Sequence, residues 1–137
     1  MIYVTRRECF NAAHKLERAD WSAAKNQEVF GPCANPNWHG HNYVLFATVK
    51  GKPDPETGFV IDLKKLSTII RTEITNKVDH KNFNLDVPFM KGILPSAENI
   101  VKAFWDILVP HISKMGCTLH SLKLQETENN SVEYFGE

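Results

Sequence analysis

At 137 residues, 42% of them apolar, the chain is long enough to build one domain around its own core. Lysine plus arginine balances aspartate plus glutamate at 16 each, which removes the net positive field that non-specific nucleic-acid or anionic-membrane binding would exploit. No apolar run approaches the roughly 18 residues of a membrane span, and three widely spaced cysteines argue against a disulfide framework and for a reducing, cytoplasmic setting.

Ile2 to Phe10 mixes β-branched and aromatic residues with polar ones, and Asn42 to Lys50 repeats that character; both read as strands. Arg6 and Arg7 fall inside the first of them, so no export signal is expected there. The intervening Lys15 to Trp38 is long, polar and broken by Gly31, Pro32 and Pro36, the composition of a functional loop. Gly51 to Gly58 is turn chemistry. From Asp62 the period changes: Leu63, Leu66, Ile69, Ile70 and Ile74 mark one face of an amphipathic helix capped by Asp62. Asp79 to Pro88 is again irregular. Ser96 then caps a second helix carrying Ile100, Val101, Phe104, Trp105 and Leu108, which Pro110 is expected to end or kink, with Gly116 beyond its end. Thr118 to Glu126 and Ser131 to Phe135 read as two strands around a Glu-Asn-Asn turn. Cys9 and Cys117 lie in strand-like segments and are expected to be small buried residues. The order ββααββ gives a single α+β domain over residues 1–137, an antiparallel four-stranded sheet with two helices on one face. Its open edges invite pairing with other subunits.

The most informative cluster is His39-Gly40-His41, leading into a strand. Residues two apart on a strand project to one face, so two imidazoles can converge on one ion. A bare His-x-His is nonetheless more often a pair of surface histidines. His14 sits just past the first strand, where an antiparallel neighbour could bring it beside the pair. Three neutral imidazoles without an obvious fourth ligand suit a catalytic zinc, which keeps one position open. Cys33, six residues before His39, could close the tetrahedron as a fourth ligand or act as a thiolate base. Asp79-His80 pairs a carboxylate with an imidazole and can serve in proton transfer or be an ordinary solvated loop. Glu126 ends a strand and could accept hydrogen bonds from a planar donor group, while Glu98 is explained by favourable charge at a helix start.

Read in order, Phe10-Asn11-Ala12-Ala13-His14, Cys33 through Tyr43 (CANPNWHGHNY), Asp79-His80-Lys81-Asn82, Ser96-Ala97-Glu98-Asn99 and Gln125 through Asn130 (QETENN) resemble the signature segments of the 6-pyruvoyl-tetrahydropterin synthase family. The resemblance spans nearly the whole chain. It implies the tunnelling fold, a ββααββ subunit whose sheets join into an oligomeric barrel, a homohexamer built as a dimer of trimers with active sites between subunits. It implies 7,8-dihydroneopterin triphosphate as substrate and zinc on His14, His39 and His41, with Cys33 as base and Asp79 and His80 as its proton-relay partners. Glu126 and Glu98 would hold the pterin ring. The five residues between Cys33 and His39 resemble the type that forms 6-pyruvoyl-tetrahydropterin; the alternative is the 6-carboxy-tetrahydropterin type of queuosine and deazapurine synthesis. A non-catalytic zinc module or a metal-free pterin-binding protein are rival readings. Lys15, where arginine is common, and Trp38, where a small residue is frequent, depart from the family pattern.

Overall fold

The computed structural model describes all 137 residues, Met1–Glu137. Its frame is a pair of thirteen-residue strands, β1 (Ile2–His14) and β2 (His39–Gly51). They pair antiparallel along their full length, from Ile2 opposite Gly51 to His14 opposite His39. Both exceed the expected strands, because pairing imposes extended backbone on Asn11–Ala13, residues of weak strand preference. That extension carries the histidines into the sheet.

Between these strands, the expected loop contains a helix, α1 (Ala23–Phe30), followed by a 3₁₀ turn at Gly31–Ala34. After β2 the chain forms α2 (Leu63–Ile70), with Asp62 accepting from the Lys64 amide at 2.8 Å, as an N-cap should. A single π-type turn over Arg71–Thr75 joins it to the short α3 (Asn76–Val78). Two residues, β3 (Lys81–Asn82), run parallel to Ala12 and Ala13 of β1. Then come α4 (Ala97–Ser113), β4 (Thr118–Gln125) and β5 (Ser131–Tyr134). The sheet therefore has five strands in the order β3-β1-β2-β4-β5, not four, and one pairing is parallel.

Ser96 caps α4 as expected, accepting from the Asn99 amide at 3.3 Å. Pro110 does not end the helix, which continues to Ser113. Leu108 and Ile112 are both fully buried on either side of it. Burying side chains of this size stabilises by ~1.5–3 kcal/mol each, enough to offset the missing backbone donor. The core lies between the sheet and the helices: Leu66, Ile70 and Ile74 from the α2 segment and Ile100, Phe104 and Leu108 from α4 meet Leu45, Ala47, Leu122 and Leu124. Even-numbered residues of β1 from Glu8 to His14 face this layer, and odd ones face away. Cys9 is consequently exposed, against expectation, whereas Cys117 is buried and donates its S–H to the Val60 carbonyl at 2.9 Å. No helix is long and apolar enough to cross a membrane.

Candidate active site and metal centre

Strand register builds the site. His39 and His41 share one face of β2, and His14 lies directly opposite His39 on β1. One ring nitrogen from each lies within 4.8 Å of the others, a spacing that could hold a metal ion. The ring centroids are 4.5 Å apart for His14 and His39, 4.9 Å for His39 and His41, and 5.1 Å for His14 and His41. Gly40 permits this closeness, since a Cβ there would meet the Ala12 carbonyl oxygen at 3.2 Å. Just before the pair, Trp38 adopts a left-handed backbone at φ +66°, a conformation glycine takes freely and a bulky residue only with strain. The Lys15 ammonium lies 4.8 Å from its ring centroid, so the two departures from the family pattern contact each other.

The donor set fits a divalent cation that prefers nitrogen ligands. His14 is only 1% exposed, and its Nδ1 donates to the Pro95 carbonyl at 2.8 Å, which leaves the Nε2 lone pair free. His14 Nε2, His41 Nε2 and His39 Nδ1 are buried without hydrogen-bond partners. Burial pushes all three imidazoles below the usual histidine range, partly opposed by the Glu126 carboxylate. They are thus neutral at pH 7, the state a metal requires. The same shift sets the acid sensitivity of the metal-free protein. As pH falls past about 6.5 the unfolded chain takes up protons that the folded site refuses, so stability complete above that value is lost below it. Melting temperatures of chelator-treated protein at pH 7.5 and 5.5 should show the decline; a rise on acidification would contradict it.

Beside the triad lies a cleft of about 470 Å³ lined by His14, Cys33, Glu98, Glu126 and the Asn129–Asn130 turn. Cys33 belongs to the Gly31–Ala34 turn, and its carbonyl accepts from the Leu16 amide at 2.8 Å, which ties the turn to the end of β1. The Glu126 carboxylate is 3.7 Å from His41 Nε2 and 3.9 Å from His14 Nε2, close but beyond hydrogen-bonding reach. Glu98 stands in the first turn of α4.

A family model described as 6-pyruvoyl tetrahydropterin synthase matches residues 3–137. The chain belongs to this family. The Homo sapiens 6-pyruvoyl tetrahydrobiopterin synthase is 40% identical over 134 residues, 98% of this chain and 91% of that protein. The Dictyostelium discoideum protein of the same name is 38% identical, covering 99% and 97% respectively. The structure of Caenorhabditis elegans 6-pyruvoyl tetrahydropterin synthase superposes with a TM-score of 0.91 at 35% identity, over 99% of this chain and 96% of that one. Plasmodium falciparum 6-pyruvoyl tetrahydropterin synthase, at 17% identity and a TM-score of 0.66, shares the fold. Membership in the 6-pyruvoyl tetrahydropterin synthase family makes the chain a lyase of tetrahydropterin synthesis, in agreement with the pyruvoyl-type spacing from Cys33 to His39.

Within one chain of this synthase family, Asp79 and His80 stand apart from the cleft. Asp79 accepts from the Asn11 amide at 2.8 Å and from His80 Nδ1 at 3.0 Å, on the outer side of β1. The Asn11 and His80 donors hold its carboxyl below the usual aspartate range. His80 has a positive φ of 59° and a side chain 81% exposed. Asp79 borders a second cavity of about 530 Å³, with Arg6, Arg7, Glu8 and Arg71 among its walls. Two contributors to the site had no role in the sequence reading. Pro95 acts through a carbonyl that leaves no sequence signal, and Tyr43, although in the His-Gly-His-Asn-Tyr segment, gains significance only from its burial.

Proposed function

We propose that the chain is one zinc-dependent synthase domain that converts 7,8-dihydroneopterin triphosphate to 6-pyruvoyl-tetrahydropterin with loss of triphosphate. The observation that carries this reading is the set of three neutral, unpartnered imidazoles opening beside a cleft that holds Cys33, Glu98 and Glu126. His14, His39 and His41 would hold the zinc, whose Lewis acidity would make protons near the substrate's side-chain oxygens easier to remove. Cys33 serves as the base that moves protons within the side chain, and Glu98 and Glu126 accept hydrogen bonds from the pterin. Asp79 and His80 relay protons from a neighbouring subunit, a role supported by their exposure away from their own cleft. Edges left unpaired along Ile2–Phe10 of β1 and beyond four-residue β5 support assembly into a barrel, as a homohexamer of two trimers. Three free cysteines favour a cytoplasmic location.

The product is the direct test. Anaerobic incubation with dihydroneopterin triphosphate should release triphosphate and give the mass of 6-pyruvoyl-tetrahydropterin without acetaldehyde. Acetaldehyde together with 6-carboxy-tetrahydropterin would move the enzyme to the queuosine route.

A further inference from the structure

Four buried side-chain polar atoms in the chain lack a hydrogen-bond partner: His14 Nε2, His39 Nδ1, His41 Nε2 and the Tyr43 hydroxyl. All four belong to one cluster, since the Tyr43 ring meets His41 edge-on at 5.5 Å and His14 at 6.2 Å. A metal accounts for the three imidazoles. It leaves the phenol unexplained. Tyr43 has 0% exposure and follows His39 and His41 on the same face of β2. Its ring is fully packed, stacked on Phe10 at 4.9 Å and edge-on to Phe83 at 5.8 Å. A phenylalanine would keep each of these contacts and avoid burying an unpaired hydroxyl. The hydroxyl is therefore available to a partner from outside the chain. His14, which the ring meets, itself lines the cleft that holds Cys33 and Glu126, so the phenol is one side chain removed from that space.

Resting on the synthase reading above, we propose that the Tyr43 O–H is a substrate-orienting donor. It hydrogen-bonds the pterin side-chain oxygen that completes the His14–His39–His41 site and so fixes which C–H faces Cys33. A neutral phenol suits this task, because its O–H can donate toward an electron-rich oxygen while remaining uncharged in a buried site.

The test compares wild type with Tyr43→Phe, both loaded with cobalt(II) and titrated with 7,8-dihydroneopterin, which has the side-chain hydroxyls but no leaving group. The variant should retain one metal per chain, and its metal-free form should melt at or above the wild-type temperature. Its affinity for dihydroneopterin should fall about tenfold, the equivalent of ~1.4 kcal/mol, and the visible spectrum of its complex should differ from that of wild type. A dihydropterin carrying only a 6-methyl group should bind both proteins equally. Equal dihydroneopterin affinity overturns the inference, as does metal loss, a lower melting temperature of the metal-free variant, or matching losses for both pterins. A wild-type protein that does not respond to dihydroneopterin overturns the synthase reading itself and this inference with it.

Discussion

Replacing Cys33 with alanine should lower turnover by roughly 10²–10⁴-fold while metal content stays near one ion per chain. Cys33 borders the cleft from the Gly31–Ala34 turn, and no cysteine joins the nitrogen cluster of His14, His39 and His41. A proposed base can be deleted without dismantling a site whose proposed ligands come from β1 and β2. The turn itself should survive, because it is held by the backbone bond from Leu16 to the Cys33 carbonyl rather than by the side chain. Steady-state kinetics and elemental analysis of the same preparation give both numbers. Metal loss in Cys33→Ala would favour a closed four-ligand site, and full activity would exclude both roles.

Exchanging both His39 and His41 for alanine should abolish stoichiometric metal binding and with it all measurable synthase activity. Two of the three proposed ligands are then missing, and one imidazole cannot hold a structural or catalytic ion at useful affinity. The loss should also appear as stability. Metal bound only by the folded state raises its stability by mass action, so chelation should lower the melting temperature of wild type and leave that of the double variant unchanged. Retention of one zinc per chain in the variant would refute the ligand assignment.

What the sequence made visible follows from which residues had a face to bury. The α2 and α4 helices were legible because Leu66, Ile70, Phe104 and Leu108 recur at helical spacing and Asp62 and Ser96 stand at the capping positions. Helix α1 was hidden because it buries only Asn26, whose amide ties back to Arg18 through its own N–H₂ and oxygen. A helix that covers no core carries no apolar period. Pro110 does not end α4, because local propensity is outweighed by the burial of Leu108 and Ile112. Two residues of parallel strand at Lys81–Asn82 are too short for any pattern.

At the site, the spacing of His39 and His41 announced their shared face, and the antiparallel partner required for His14 proved to be β2. Cys9 escaped because face assignment depends on register: an odd position in β1 turns it away from the helices. Adjacency of Asp79 and His80 was evident from sequence, but their distance from Cys33 was not. That separation comes from β3 and the Asn11 contact, which set the pair on the other side of β1.

The bond from His14 Nδ1 to the Pro95 carbonyl joins two parts of the molecule that otherwise differ in kind. Pro95 immediately precedes the Ser96 cap of α4, so the peptide that starts a helix also fixes the tautomer of a histidine proposed to hold the metal. The connecting stretch before α4 therefore bears on the proposed metal site. Lengthening or shortening Ile93–Pro95 should move this carbonyl away from His14 and change metal affinity while the three histidines and the sheet stay intact.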